Sequence, residues 1–448
     1  MNDADILIIG AGASGLAAAR ELSAAGLEVT ILEGRDRIGG RIHTHRGEGS
    51  SLPVELGAEF IHGRPPETLQ IVAGAHLKLA EVPNGHWYLH EGILTRSGEF
   101  WSKLEEMMKQ MKHSGPQDQS FAEFLETYGQ THELGEAKTI ACMYVEGFHA
   151  AHPERISVLG LNKVNDAADS IEGDRQFRSA DGYDLIMQRL YDEAVSHGAK
   201  FQLNTIVEEV RWRRHRVEVI GKSESGTQNY YASRLLATLP LGVLQADANE
   251  VGVVRFEPAL REKEAAARRL AMGQVIRIAL RFSEPFWEEL SMPTKDRSRE
   301  SLKDLAFLHA PGELIPTWWT QLPARAPLLV GWAGGPRAEK LSLEGDQFLL
   351  NTALESLVNI FGRPRKELEE LLEESYTHNW RNDPFSRGAY SYIPVGGVEA
   401  PSQLAQSVEG TLFFAGEAAN TEGHGGTVHG AIASGIHAAR EMMKTPGN

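Results

Sequence analysis

The sequence predicts an α/β fold with two domains, and three observations support this prediction. The chain has 448 residues, which is well past the size at which one hydrophobic core usually stops growing. Near its start, a short apolar run, a glycine-rich turn, a helical pattern and a second apolar run follow one another in the order of a βαβ unit. Later segments alternate between strand-like and helical periodicity, which indicates further sheets flanked by helices.

The βαβ unit spans residues 6–41 and carries the pattern G-x-G-x-x-G. In a Rossmann-like unit the first glycine permits a tight turn, the second lets the backbone approach a pyrophosphate, and the third lets the helix pack on the strand. The helix also points its unpaired N–H groups at the phosphates. The turn is therefore predicted to bind a dinucleotide through Gly10, Gly12, Ala13, Ser14 and Gly15.

The residues after the second apolar run narrow the choice of dinucleotide. Glu33 lies 18 residues beyond Gly15, where a carboxylate accepts hydrogen bonds from a ribose. The segment 34–41, GRDRIGGR, then supplies guanidinium groups that can neutralise a diphosphate and a glycine pair that can pass close to a flat ring. A site for a nicotinamide dinucleotide does not need these additional guanidinium groups and this glycine pair. The sequence therefore predicts FAD, with contacts from Glu33, Gly34, Arg35, Gly40 and Arg41.

The composition excludes several classes of partner. A net charge of −16 argues against nucleic acid. Cys142 is the only cysteine and the histidines lack zinc-site spacings, so neither an internal disulfide nor a metal site is expected.

Residues 1–5 lack the basic start of a signal peptide, and no apolar run is long enough to span a membrane. We therefore expect a cytoplasmic protein without a membrane partner; the sequence indicates no oligomeric state.

Periodicity places the remaining elements. Helices are expected over residues 98–143, 182–197, 345–375 and 427–435. Strands are expected over residues 200–210, 216–220, 230–238, 275–282, 318–319, 328–332 and 412–414, with a glycine-broken β-run at 54–63. The chain is expected to return to the first domain over roughly residues 198–248.

The C-terminal part supplies a second set of signals for a cofactor site. The strand at 412–414 ends in Gly416 and Glu417, and a glycine-rich turn then leads into the helix that begins near Thr427. The N-terminus of this helix would stabilise negative charge on a reduced flavin, near N1 and the C2 oxygen.

Taken together, these motifs resemble the flavin-dependent amine oxidases, which include monoamine oxidases, polyamine oxidases and the lysine-specific histone demethylases. The resemblance covers nearly the whole chain. It rests on the glycine turn with Glu33 and on the segments 37–41, 55–58, 239–244, 388–392, 414–417 and 427–435. It implies a discontinuous FAD-binding domain, assigned residues 1–75, 198–268 and 385–448, and oxidation of an amine. It also implies a substrate domain with a mixed sheet flanked by helices, assigned residues 76–197 and 269–384.

The resemblance also implies roles at the cofactor. Glu33 would bind the adenosine ribose, and Val207 would meet the adenine ring through its backbone. Arg41 would contact the diphosphate, Glu417 the ribityl chain, and Val428 the flavin C2 oxygen. Further contacts are assigned to Gly57, Ala58, Glu59, Trp380, Tyr390, Gly416 and Thr427. Monoamine oxidases bind their flavin covalently through a cysteine that is Ala389 here, so we expect non-covalent FAD.

Four residues are assigned to catalysis by the same resemblance: Arg277, Tyr390, Thr427 and His62. Tyr390 matches the first aromatic-cage residue of the family, and Thr427 replaces the second, as in polyamine oxidases and histone demethylases. His62 matches a histidine of animal polyamine oxidases and would line the substrate channel. Glu59 and Glu146 are the acids that could hold a distant ammonium group of a polyamine.

Arg277 is the main departure from the family. Most members have a lysine there, which holds a water against flavin N5. An arginine stays charged and cannot act as a base, although it could hold a water or place positive charge near the flavin. The alternative is a solvated strand residue. Strand alternation places Arg277 on the polar face, which both interpretations predict.

The expected reaction is oxidation of a primary or secondary amine. Hydride would pass to flavin N5, the imine would hydrolyse, and molecular oxygen would reoxidise the flavin with release of hydrogen peroxide. Two alternatives keep the fold: a desaturase or porphyrinogen-type oxidase, and a flavoprotein whose oxidase activity is weakened because Arg277 replaces the lysine.

If Arg277 lies in the site, Arg277→Ala will slow reoxidation of the flavin by oxygen more than reduction of the flavin by amine, because a positive charge favours electron transfer to oxygen. Stopped-flow measurement of the two half-reactions separates these rates. An unchanged reoxidation rate would remove Arg277 from the site.

Overall fold

The computed structural model describes residues 4–47, 52–96, 98–113, 115–130 and 135–445. The predicted βαβ unit forms the middle of a five-stranded, parallel sheet. In spatial order its strands are Lys200–Gln202, Val29–Leu32, Ile6–Ile9, Arg234–Ala237 and Leu412–Phe414. They come from all three segments assigned to the FAD-binding domain, while the domain boundaries themselves stay a prediction.

Small residues let two helices pack closely beside this sheet. The helix Ala13–Ala24 follows the first strand, and the C-terminal helix Val428–Lys444 lies against it. A Cβ atom on Gly435 would lie 2.2 Å from the carbonyl oxygen of Ser14, so only glycine permits this approach. The helix Asp184–Ser196 completes the layer, which shares one apolar core with the sheet.

A four-stranded sheet follows, in the order Gly226–Ala232, Arg216–Ser223, Ile206–Arg213 and Arg255–Glu257. The prediction of one continuous strand over residues 200–210 is wrong. The chain leaves the parallel sheet after Gln202 and turns at Asn204, whose φ is +51°. The backbone N–H groups of Asn204 and Thr205 donate to the carbonyl oxygens of Arg35 and Glu33.

The predicted mixed sheet of the substrate domain has seven strands. They are Leu372–Thr377, Val275–Phe282, Leu328–Gly334, Thr317–Trp319, Phe307–His309, His86–His90 and Ile93–Arg96. One pairing is parallel and the others are antiparallel. Both faces of the strand Val275–Phe282 are covered, so its alternation does not separate a solvated face from a buried one. The interpretation of Arg277 as a solvated strand residue is therefore wrong.

Two of the predicted helices are shorter than the periodicity suggests. The region 98–143 contains the helices Gly98–Lys112, Phe121–Gly129 and Glu136–Phe148; residues 114 and 131–134 of this prediction lie outside the described residues. The region 345–375 contains the helices Asp346–Phe361 and Arg365–Leu371, and then the edge strand of the seven-stranded sheet. Gly362, at a φ of +65°, ends the first of these helices, and Pro364 precedes the second.

The connecting elements are short. They comprise the strands Thr44–His45, Val54–Glu55, Ile61–His62, Leu79–Glu81, Gln176–Ser179, Ala271–Gly273, Ser291–Pro293, Arg299–Ser301 and Tyr390–Tyr392, the α-helices Pro66–Gly74, Val158–Asp169, Leu241–Leu244, Arg261–Arg268, Gly335–Leu341 and Ala400–Ala405, and the 3₁₀ helices Phe286–Glu289 and Glu417–Ala419. Within the described ranges, no helix combines the length and the apolar character needed to cross a membrane.

Candidate functional site

The carboxyl ends of the parallel strands meet at one edge of the sheet. The strand Ile6–Ile9 leads into Gly10, its neighbour leads into Glu33, and the strand Leu412–Phe414 leads towards Gly416. Ligands of open parallel sheets bind at this edge. The topology therefore places the two ends of the sequence at a common site.

The glycines at this edge differ in the space around them. Gly10 has a φ of +101°, and a Cβ atom on Gly15 would lie 2.0 Å from the carbonyl oxygen of Gly10, so both are required by the turn itself. A Cβ atom on Gly12 or Gly416 would meet no atom within 4 Å. These two positions border open space, as a cradle for a phosphate chain requires.

The start of the first helix offers donors to that space. The Ser14 hydroxyl is buried and has no hydrogen-bond partner among the described residues. A buried hydroxyl without a partner costs free energy, and a phosphate oxygen would satisfy it. This fits the pyrophosphate predicted for the turn.

Glu33 lies at the nucleotide end of the site. Its carboxylate accepts hydrogen bonds from the backbone N–H of Ala11 at 2.7 Å and of Arg35 at 2.9 Å. The bonds from Asn204 and Thr205 described above bring the strand that carries Val207 beside it. Glu33 and Val207 are thus close neighbours, as the predicted adenosine site requires.

The Arg35 side chain turns towards a carboxylate that sequence reasoning missed. Its Nη2 atom donates to Asp383 at 2.6 Å and to the Ser386 hydroxyl at 2.8 Å. Asp383 also accepts from His378 at 3.0 Å, and the His378 ring lies 4.1 Å from that of Trp380. Although burial opposes ionisation, the hydrogen bond from His378 and the charge of Arg35 hold the pKa of Asp383 far below its usual range.

Glu417 links three separate segments. Its carboxylate accepts hydrogen bonds from Arg41 at 2.9 Å, from the Ser391 hydroxyl at 2.6 Å and from the backbone N–H of Gly426 at 3.0 Å. The same Arg41 nitrogen donates to the carbonyl oxygen of Ala389 at 2.7 Å. The predicted diphosphate, cage and flavin-ring residues are therefore adjacent.

The C-terminal helix begins beside this group. The Thr427 hydroxyl caps the helix, since it accepts from the Gly430 N–H at 2.9 Å and donates to the His424 carbonyl at 2.7 Å. In the part of the chain that the structure describes, the Val428 N–H has no acceptor. A free N–H at a helix N-terminus suits a partly negative oxygen, as predicted for Val428.

Residues 55–59 form a strip that is fixed from several sides. Trp380 donates to the Leu56 carbonyl at 2.9 Å, and the Ala58 N–H donates to the Arg41 carbonyl at 3.3 Å. A Cβ atom on Gly57 would lie 1.9 Å from that same carbonyl oxygen. The backbone of the strip can therefore follow only one path beside Arg41. Three of its residues, Gly57, Ala58 and Glu59, are those predicted to contact the cofactor.

Aromatic side chains line the approach to this strip. The Tyr390 hydroxyl donates to the Phe148 carbonyl at 2.9 Å, and the Phe148 ring, 44% exposed as a residue, stacks on Tyr144 at 5.4 Å. His62 lies 5.3 Å from Phe148. Burial lowers the pKa of His62 to about 4, and its Nδ1 atom has no partner within the described residues. We name Tyr390, Phe148, Tyr144 and His62 the aromatic wall; it is uncharged at neutral pH.

Arg277 and Glu59 belong to a buried ion-pair cluster. Arg277 donates to Glu59 at 2.6 Å, Arg178 donates to the other Glu59 oxygen at 2.6 Å, and Trp319 adds a hydrogen bond at 3.0 Å. Burial opposes ionisation of Glu59, but Arg178 and Arg277 hold its pKa below the usual range. The carboxylate is thus engaged by protein cations. This removes Glu59 from the acids predicted to hold a polyamine and leaves Glu146.

Sequence reasoning missed Arg178, which lies on the short strand Gln176–Ser179. No local pattern around Asp383 indicated its partners, which are distant in sequence or depend on the folded loop. Among the described residues, no group of three His, Cys, Asp or Glu side chains could hold a metal.

These features define the class of protein. A glycine turn, a carboxylate at the end of the second strand and a second helix N-terminus, all at one edge of a parallel sheet, are those of a dinucleotide-binding oxidoreductase. Residues 13–443 match the profile of the flavin containing amine oxidoreductases, and the chain belongs to this family. The predicted α/β fold, flavin cofactor and amine oxidoreductase class are confirmed.

Individual relatives agree with this assignment. The chain is 31% identical to lysine-specific histone demethylase 1 homolog 2 of Arabidopsis thaliana, over 98% of its own length and 58% of that protein. It is 30% identical to polyamine oxidase 4 of Oryza sativa subsp. japonica, over 98% and 88% of the two chains.

Solved structures share the fold. Putrescine oxidase bound to putrescine has a TM-score of 0.80 at 20% identity, over 98% of this chain and 99% of that one. Cyclohexylamine oxidase from Brevibacterium oxydans IH-35A has a TM-score of 0.77 at 22% identity, over 98% of both chains.

The contrast between Gly12 and Gly57 gives a matched pair of variants. Gly12→Ala is expected to leave the thermal stability of the flavin-stripped protein unchanged, because its Cβ meets only open space, and to reduce bound flavin at least tenfold, as an order of magnitude. Gly57→Ala is expected to lower both, because its Cβ would overlap the Arg41 carbonyl. Flavin-to-protein absorbance ratios and thermal unfolding check this. Full flavin content in Gly12→Ala would contradict the assignment of Gly12 to the pyrophosphate-binding turn.

Glu55 gives a prediction about pH. Burial raises its pKa from 4.5 to about 7, so the folded protein keeps a proton that the unfolded chain releases. The resulting stabilisation is complete below pH 4.5 and is lost as the pH rises through about 7. Glu55→Gln is therefore expected to gain stability relative to the wild type between pH 5 and pH 8, by up to roughly 3 kcal/mol at 1.36 kcal/mol per pKa unit. Denaturant unfolding of both proteins at pH 5 and at pH 8 measures this difference in the free energy of unfolding. Parallel pH profiles of that free energy for the two proteins would refute the prediction.

Proposed function

We propose that the protein is an oxidase that uses non-covalent FAD to convert a primary or secondary amine into an imine, with molecular oxygen as the acceptor and hydrogen peroxide as a product. Family membership supports the amine and the flavin. The arrangement around Glu417 supports FAD in particular, because Glu417 is predicted to contact the ribityl chain and is hydrogen-bonded to Arg41, which is predicted to contact the diphosphate. A cytoplasmic location stays part of this proposal.

The residues present fit FAD. The adenosine would lie at Glu33 and Val207, and the diphosphate between the open side of Gly12 and Arg41. The flavin ring would lie among the strip 55–59, Tyr390 and the free N–H of Val428. Ala389 precedes Tyr390, so no thiol is offered for a covalent bond at that position.

When bound, FAD supplies the hydride acceptor for amine oxidation. The protein binds and orients the amine. The Tyr390 ring offers a π-face to the amine, and Phe148 and Tyr144 exclude water around it. The amine must be neutral to lose a hydride, and the lowered pKa of His62 keeps that part of the wall neutral as well. The unpartnered Nδ1 atom of His62 can accept a hydrogen bond from the amine N–H.

One observation carries the proposal. The Tyr390 ring lies against Gly426, where a Cβ atom would be 3.4 Å from it, and Gly426 is bound by Glu417. An aromatic face is thereby held next to the helix N-terminus that is assigned to the flavin. An amine on the wall would then be next to the ring.

Anaerobic mixing with amines tests the proposal. Monoamines, diamines and polyamines are added to the purified protein, and at least one is expected to bleach the flavin band, with about one peroxide formed per flavin when oxygen is admitted. Tyr390→Ala should slow bleaching at least tenfold through loss of substrate orientation, an order-of-magnitude expectation. Flavin that no amine reduces would favour a desaturase or porphyrinogen-type oxidase. Bleaching by an amine with very slow return of colour would favour a flavoprotein with weakened oxidase activity.

A further inference from the structure

The buried cluster of Arg178, Glu59 and Arg277 contains more positive than negative charge. All three residues are at most 7% exposed. Two guanidinium groups share a single carboxylate, and burial raises the pKa of the neighbouring Glu55 carboxyl to about 7, so below that pH one positive charge is not neutralised within the cluster. Burying an unneutralised charge costs several kcal/mol, of the order found when one partner of a buried ion pair is removed. Such a charge is retained where it has a function or a second anion.

The cluster is rigid because nearly every polar group in it is engaged. Arg178 donates to the carbonyl oxygens of Leu322 at 2.6 Å and Thr320 at 2.9 Å, and its guanidinium lies 4.7 Å from the Phe60 ring centre. Arg277 lies 5.4 Å from the Trp319 ring centre. The Nη1 atom of Arg277 has no partner in the described part of the chain, so this cation keeps one free donor.

Arg277 is also joined to the strip 55–59 at both ends. Its Nε atom donates to the Glu55 carbonyl at 2.6 Å, and its Nη2 atom donates to the Glu59 carboxylate at 2.6 Å. Between these points lie Leu56, held by Trp380, and Gly57, pressed against Arg41. The excess charge is thus coupled to the segment that would face the flavin ring.

We propose that Glu59, braced by Arg178, is a positioning residue that holds Arg277 as a fixed buried cation beside the flavin ring, where its unneutralised charge favours the reduced, anionic cofactor. The inference rests on the proposed function, because it requires FAD at this strip. Reduction adds two electrons and one proton to the flavin, so one negative charge develops on the ring. A preorganised cation lowers the free energy of that state without needing a proton of its own.

The test measures the reduction potential of the holoenzyme against a reference dye, with xanthine and xanthine oxidase as the source of electrons. Glu59→Gln removes one negative charge and so makes the net charge of the cluster more positive by one. It is expected to shift the flavin–dye equilibrium towards reduced flavin by about tenfold. Arg178→Gln removes one positive charge and is expected to shift it by about tenfold in the opposite direction. The double variant restores the net charge of the wild type and should return to within about threefold of it.

A matched control changes the same residue type in solvent. Glu81 pairs with Arg175 at 2.7 Å in an exposed ion pair, and Glu81→Gln should leave the equilibrium unchanged because water and salt screen it. Thermal unfolding is recorded for every variant, since a purely structural cluster would change stability alone.

The possible outcomes distinguish a role of the cluster in the reduction potential from a purely structural role. Unchanged potentials in Glu59→Gln and Arg178→Gln, with lowered stability, would overturn the inference. The inference would also be overturned if the reduction potential of the double variant were shifted as far as that of Glu59→Gln, because geometry rather than net charge would then set the potential. If Glu59→Gln does not fold, Arg178→Gln decides by itself. Xanthine and xanthine oxidase supply the electrons in place of an amine, so a protein that binds flavin and oxidises no amine would refute the proposed function and still permit this test.

Discussion

A single carboxylate holds the candidate site together. Glu417 follows the last strand of the parallel sheet and binds Arg41, Ser391 and Gly426, which come from opposite ends of the sequence. The residue is 5% exposed, so its charge has little access to water. A buried carboxylate without these donors would cost several kcal/mol, and the three segments therefore order around it together. A cofactor that contacts any one of them meets the other two already in place.

A second set of contacts joins the nucleotide end of the site to the ring end. Arg35 lies beside Glu33 and binds Asp383, which binds His378, which packs on Trp380. Trp380 in turn fixes the strip 55–59 through Leu56. The residues predicted to contact the adenosine and the flavin are thus parts of one bonded framework, although they come from widely separated segments of the chain. This explains why the fold can bind a long cofactor without a continuous binding loop.

Local patterns predicted the parts of the molecule whose cause is local. The βαβ unit, the strand Val275–Phe282 and the helix after Thr427 follow from periodicity, glycine spacing and capping, and all three are present. The break at Asn204 was missed, because it depends on hydrogen bonds to Glu33 and Arg35 across the sheet. Arg178 and Asp383 were missed for the same reason, since only the folded chain brings them to Glu59 and Arg35. The burial of Arg277 likewise depends on layers packed on both faces of its strand.

The two sides of the site complement each other electrostatically. Burial lowers the pKa of His62 on the aromatic wall, and of His149 packed beside Tyr144 and Phe148, to about 4, so neither adds charge at neutral pH. On the side of the strip 55–59, the cluster around Glu59 carries an excess of positive charge. At the reacting position an ammonium ion would find no anion among the wall residues and would be repelled by the cluster, whereas a neutral amine would meet neither penalty. Glu146 remains the acid predicted to hold a distant ammonium group. The positive charge that we propose favours electrons on the flavin would therefore also favour the protonation state of the amine that can donate them.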